Sequence, residues 1–423
     1  MKRVLLLATT TGYQIRSFGE AADAVGVRLL LASDRCDQLD DPWWDGAVPV
    51  RFHDTAASVE AVVRALETAP PEGIIAVGDR PTVLAARLAS AFGLEGNPPE
   101  AAAASRNKLQ ARARFRAAGL PTPRFRAAHV DDDPAVLARE IAYPAVIKPA
   151  ALWASRGVMR VDDAAGFRAA FDRLRALLRS VDIRMERDAI HEQVVIEDFI
   201  AGAEYAVEGV LTRGAFRAFA IFDKPDPLEG PFFEETIYVT PSRLRVAAQQ
   251  QMIDAVAAAA RALGLHHGAI HAECRVNPQG VFVLEVAPRP IGGLCAKSLR
   301  FHHRERRDLS LEEVLLRHAV GEDVSDCERE PRAAGVMMVP ITRRGLFRGV
   351  EGVDAARAVA GIDDVRITAK PDVLLVPLPE GRSYLGFIFA HGDDPAGVEE
   401  SLRGAYGMLR FRVERELAVT DAR

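Results

Sequence analysis

Cysteine is scarce in this 423-residue sequence. Its four cysteines, Cys36, Cys274, Cys295 and Cys327, lie far apart and form no CxxC pair. That spacing argues against a zinc site or a disulfide framework and fits a reducing cytoplasm. No apolar run is long enough to span a bilayer. The opening MKRVLLLA resembles a secretory signal, but its apolar stretch is too short and runs into Thr9-Thr10-Thr11-Gly12-Tyr13. Charge of one sign is also lacking: the net charge of -5 leaves no bulk field for a polyanion, so nucleic acid is not an expected partner. A GxGxxG fingerprint is missing, which argues against dinucleotide binding. No nucleophilic Ser or Cys motif, internal repeat or low-complexity tract is found.

What is present is 49% hydrophobic and 27% charged, the balance of a soluble globular protein, and the length suggests two to four domains. Residues 1 to about 100 alternate short strand and helix patterns: strands at Val4–Ala8, Arg28–Ser33 and Gly73–Val77, helices at Gly19–Val25, Ala56–Thr68 and Pro81–Phe92. Such alternation predicts a parallel, Rossmann-like sheet whose ligand-binding ends include Thr9 to Gly12 and Gly78-Asp79-Arg80. Arg80 suits either a substrate carboxylate or an ion pair with Asp79 or a neighbour. Ala101 to Ala118 predicts one strong helix carrying Lys108 and Arg112. Tyr143 to Pro149 is a strand whose single Lys148 ends an apolar run, poor packing unless an anion awaits it. The loop Ala151 to Gly157, with Trp153 packing it, leads into a strand at Val158. Ser242 is placed as the cap of a helix from Leu244 to Leu263, Arg300 to Arg307 (RFHHRERR) as a solvated loop, and a final helix runs from Gly397 to about Glu416.

The densest chemistry lies between Gly268 and Gly293, GAIHAECRVNPQGVFVLEVAPRPIGG. Asn277-Pro278-Gln279-Gly280 suits a turn joining two strands. With a three-residue loop, Asn277 faces Val281, and counting back sets Glu273 across from Glu285. His271, Ala287 and Arg289 share their face, while Cys274 points into the core. Facing carboxylates repel. The pairing makes sense around a cation, and oxygen donors suit Mg²⁺ or Mn²⁺. The competing reading is two solvated glutamates, against which Ala269, Val281 and Val283 make the face half apolar.

The ordered set Lys108, Lys148, Ser155-Arg156-Gly157-Val158, Val195 to Ile200 with Glu204, Glu273 and E-V-A-P-R-P-I-G-G resembles the ATP-grasp superfamily over nearly the whole chain. Within it, E-x-A-x-R at Glu285 to Arg289, the Asp223 to Ser242 loop and the segment Tyr384 to Gly392 are similar to the L-amino-acid ligase branch. The resemblance implies an α/β and α+β protein. A Rossmann-like domain at 1–100 would be followed by an ATP-grasp linker and flap at 101–190, a catalytic subdomain at 191–330 and a closing α+β domain at 331–423.

It also implies roles. Lys108, Lys148 and the flap residues Ser155, Arg156 and Gly157 would hold ATP phosphates. Glu197, Phe199 and Ile200 would read adenine, Glu204 would take the ribose, and Lys224 would join the nucleotide set. Glu273 and Glu285 would hold Mg²⁺ or Mn²⁺, and Arg289 would steady the acyl phosphate. Ala287 stands where the wider superfamily commonly has an Asn ligand. The general base is left open between Glu273, His271 and a residue of the Asp223 to Thr236 loop. The implied reaction joins a small carboxylic acid and an amine, with amino acids the favoured pair, in the cytoplasm. Homodimers are the commonest assembly for such soluble enzymes. A bicarbonate-using carboxylase or carbamoyl-phosphate-type enzyme and a silent nucleotide-binding regulator are the rivals.

Overall fold

The Val4–Ala8 run is buried along its whole length and lies in a parallel sheet between Arg28–Ser33 and Gly73–Val77, with Val48–Pro49 at one edge. Strands covered by helices on both faces can be continuously apolar, as this one is. The covering helices are Ile15–Val25, Thr55–Ala65 and Thr82–Ala91. A computed structural model describes residues 1–10, 14–35 and 46–415 of the protein. Cys36, Thr11 and Gly12, each assigned a part above, lie outside the described residues.

Among the described residues four antiparallel sheets follow, two of three strands and two larger ones that frame the site. The smaller runs Phe125–His129, Gln193–Asp198, Ala145–Pro149, Met159–Val161, and helix Ala164–Leu178 packs on it through Phe167, Phe171 and Leu174. The larger has eight strands: Gly280–Ala287, Gly268–Asn277, Ala203–Thr212, Ala215–Asp223, Ile237–Thr240, Ala333–Val339, Gly386–Gly392 and Ile362–Ile367. Strands from either side of residue 331 therefore hydrogen-bond within one continuous sheet, Ile237 opposite Met337. Helix Val246–Leu263 covers one face through Met252, Val256 and Ala260, whose spacing of four aligns them on one stripe.

Several local expectations are corrected. The single helix over 101–118 is two, Pro99–Arg106 and Lys108–Ala117. Asn107 leaves the helical region at φ −98°, ψ 106°, and its Oδ1 accepts from the Leu109 and Gln110 amides, an N-cap inside an Ala-rich run. Ser242 does not cap the next helix, which starts at Val246; its hydroxyl donates to Asp223 at 2.5 Å. RFHHRERR is most of a hairpin, Arg300–His303 against Arg306–Ser310 with Arg304 and Glu305 at the turn. The last helix ends at Met408, and Arg410–Glu414 returns as a strand beside Gly345–Glu351.

The catalytic hairpin reaches its expected pairing by another route. Asn277 faces Gly280, not Val281, so the turn is one residue shorter than the loop assumed. A bulge at Leu284 then adds a residue to the second strand, and Glu273 again faces Glu285.

Candidate active site

A cavity of about 450 Å³ opens where the ends of the N-terminal strands, the smaller sheet, the hairpin and the loop Arg382–Tyr384 meet. Of the residues singled out above, Lys108, Lys148, Ser155, Glu197, Phe199, Ile200, Glu204, His271, Glu273, Glu285 and Arg289 line it. Arg156, Gly157 and Lys224 do not line it.

The helix break at Asn107 decides where Lys108 points. Its backbone amide donates to Ala150 at 2.9 Å, and its ammonium reaches the Leu152 carbonyl at 3.0 Å and Glu285 at 3.2 Å. One turn on, Arg112 is fully buried. Its fork donates to Glu197 at 2.9 and 3.3 Å, and Nη1 donates to the carbonyl of the bulged Leu284 at 2.8 Å. One guanidinium thus ties the hairpin's irregularity to the smaller sheet. Glu197 also accepts from Lys148. Burial alone would raise the Glu197 carboxyl, but Arg112 and Lys148 hold it down to about 2. Burial, with Arg112 and Lys108 nearby, brings Lys148 down to about 8 against the pull of Glu197.

The opposite floor is a cage of carboxylates around one ammonium. Lys224 donates to Glu204 at 2.8 Å, to Glu273 at 3.0 Å and to Glu235. Its side chain lies beneath the cavity wall, so it orders the three acids and does not itself face the cavity. Arg275 braces Glu204 from the other side at 2.9 Å and caps the Ile200 carbonyl at 2.7 Å. Burial would raise Glu273, but Lys224 and His271 hold its carboxyl well below the usual range. Glu235 is pushed the other way, up to about 7, because burial and the neighbouring Glu273 outweigh Lys224. The Tyr238 hydroxyl donates to it at 2.8 Å.

His271 stands beside this cage. Burial would lower its imidazole, but Glu208, 3.1 Å from Nδ1, and Glu273 raise it to about 9. At neutral pH it is therefore an imidazolium, a donor and not an acceptor. Arg289 is held as a fork on Asp79 at 2.9 and 3.2 Å, joining the hairpin's end to the Gly73–Val77 strand. That contact answers the expectation for Asp79. Arg80 pairs instead with Asp34 at 3.1 Å and Glu186 at 3.7 Å.

The flap departs most from expectation. Ala154, Ser155 and Gly157 all have positive φ, and a Cβ on Gly157 would sit 3.0–3.1 Å from Leu174 and Leu177, so the tight loop needs glycine there. Arg156 turns away from the cavity: it pairs with Asp182 at 2.8 Å and donates to the Glu380 carbonyl at 2.8 Å. The Gly157 amide donates to the Pro379 carbonyl at 2.8 Å. Both are flap anchors, their donors taken up by carbonyls of the C-terminal loop.

Arg112, Glu208, Glu235, Tyr238 and Arg382 were not picked out as site residues. Arg112 was legible as a charge within an apolar helix, one turn from Lys108. Glu235 sits in the loop flagged for its length. Nothing local marks the other three.

Two family models match the chain: an ATP-grasp domain over residues 141–298 and the L-amino acid ligase C-terminal domain 2 over residues 337–414. The chain carries an ATP-grasp domain, and the pairing of the two domains makes it an ATP-dependent C–N ligase of the L-amino acid ligase type. An uncharacterized protein of Sinorhizobium fredii is 26% identical, the match covering 98% of this chain and 84% of that one. Alanine–anticapsin ligase of Bacillus amyloliquefaciens is 27% identical over 49% of this chain and 46% of its own length, so the match spans about half of that enzyme. The structure of an L-amino acid ligase from Bacillus licheniformis superposes with a TM-score of 0.81 at 24% identity, covering 98% of this ATP-grasp chain and 99% of that one. The chain thus has the mixed α/β fold of that ligase. Among the described residues no helix is long and apolar enough to cross a membrane.

The donor set suits a divalent metal. Glu273 and Glu285 are anionic oxygen donors facing one cavity, each now balanced by a lysine, Lys224 and Lys108. Ala287 is buried and adds no oxygen.

Proposed function

We propose that this ATP-grasp chain joins a carboxylic acid to an amine, both amino acids, through an acyl phosphate with release of ADP and phosphate. The convergence of Lys108, Lys148, Glu273, Glu285 and Arg289 on one cavity carries the reading. A carboxylate is a poor electrophile until its oxygen becomes a phosphate leaving group, and no side-chain nucleophile is needed for that. Residues 1–100, 101–190, 191–330 and 331–423 are proposed as its functional segments.

Lys108 and Lys148 bind the phosphates under the Ser155 loop. Phe199 and Ile200 border the adenine and Glu204 faces the ribose. Glu197, saturated by Arg112 and Lys148, fixes the Lys148 ammonium in line with its phosphate. Glu273 and Glu285 would hold Mg²⁺, which when bound supplies neutralising charge at the phosphates. Arg289 and the His271 imidazolium donate to the oxygen that becomes an oxyanion as the amine attacks. Glu235, with a pKa near neutrality, accepts the proton the amine must lose.

The test is phosphate release from Mg-ATP with single and paired amino acids and with bicarbonate. Release that requires both an acid and an amine, with dipeptide in the product, is expected. Release supported by bicarbonate alone, or tight ATP binding without turnover, would overturn the reading.

A further inference from the structure

Among the described residues seven cationic side chains line the cavity, and six of them already face a carboxylate: Arg80, Lys108, Lys148, Arg275, Arg289 and His271. Arg382 is the exception. Among the described residues its guanidinium has no ion-pair or hydrogen-bond partner. It rests over the ring of Trp153, 5.9 Å from the centroid, where the flap meets the C-terminal loop. Asp182 is the carboxylate whose ionisation it favours, and Asp182 is already paired with Arg156. The Ser383 side chain lines the cavity beside it. Two residues on, Tyr384 is close enough to Glu235 to feel its charge.

We infer that Arg382, with Ser383, is the subsite that reads the free carboxylate of the amine partner. This rests on the ligase reading above. In that reaction the acid substrate converts its α-carboxylate into the acyl phosphate, so the carboxylate left over belongs to the amine partner. The cavity lining offers that partner a cation at Arg382 and, among its other residues, the carboxyl group of Glu235. A guanidinium held over an aromatic ring by a cation–π contact keeps N–H donors free for a bidentate carboxylate. A bare amine, an amino-acid amide or an ester would leave Arg382 unpaired.

The experiment compares amine substrates in the full-length enzyme: alanine against alaninamide, with the wild type, Arg382→Ala and Arg382→Lys. Wild type should show a KM for alanine about a hundredfold below that for alaninamide. Arg382→Ala should raise the alanine KM to the alaninamide value while leaving the KM values for ATP and for alaninamide unchanged, and Arg382→Lys should recover part of the loss. Equal KM values for the two amines in the wild type would overturn the subsite while the ligase reading stood. A rise in the ATP or alaninamide KM equal to that for alanine would make Arg382 a flap support and overturn it too. If phosphate release proves independent of any amine, the ligase reading fails and the subsite falls with it.

Discussion

The two long walls of the cavity are built on different principles. On the hairpin wall every charge is neutralised in place: Glu273 by Lys224, Glu285 by Lys108, His271 by Glu208 and Arg289 by Asp79. On the flap wall the loop is held mainly by backbone acceptors from a segment more than 200 residues later, Pro379 to Gly157 and Glu380 to Arg156, and Arg382 has no ion-pair partner among the described residues. The first wall is electrostatically preorganised, so its geometry persists before substrate arrives. The second depends on one part of the chain docking on another, which is how a cover over a reaction site can open.

Removing a charge from the hairpin wall should therefore cost most. Glu285→Ala should lower turnover by about a thousandfold with the melting temperature little changed, read by ADP release and by circular dichroism. Retained activity would remove Glu285 from the machinery. Arg112→Ala attacks the wall from behind. It leaves the buried Glu197 with one partner and the Leu284 carbonyl without its donor, a loss of about 3–5 kcal/mol in urea unfolding.

His271 makes the same wall pH-sensitive. Its pKa is about 9 when folded, against about 6.5 unfolded. Its contribution is complete below pH 6.5 and is lost as pH rises through 9, at most about 3 kcal/mol. His271→Gln should flatten stability across that window; an unchanged slope would show the ion pair with Glu208 contributes nothing. Glu235→Gln should cost about a hundredfold in turnover and abolish the rise in rate expected as pH climbs through 7, measured as a pH–rate profile. The flap wall should respond least. Arg156→Ala loosens the loop from Asp182 and Glu380 and should lower kcat/KM about tenfold, with ATP turnover in the absence of the amine rising as water enters.

Much of the hairpin wall could be read from the chain, since period-two alternation and a Pro-Gly turn place His271, Glu273 and Glu285 on one face. Even there the turn was one residue shorter than expected, and the bulge at Leu284 restored the pairing. A bulge is invisible in composition because the group that satisfies its carbonyl, the Arg112 guanidinium on Leu284, comes from a helix 172 residues earlier. Lys224 was legible as a residue of the site but not as the centre of a carboxylate cage, because its partners Glu204, Glu235 and Glu273 come from three separate strands or loops. Arg156 was misdirected for a related reason: a positive-φ loop can aim a side chain to either side, and the acceptor that decides it is Glu380.

The sequence by itself determined the strands, most helices and which residue types could grip phosphate and metal, because those follow from local periodicity and from the chemistry of each side chain. Tertiary structure alone decided which charges were already spent. Pairing depends on distances between segments far apart in the chain, and it is pairing that lowers Lys148, raises His271, poises Glu235 near neutrality and leaves Arg382 as the one cavity cation without a partner among the described residues.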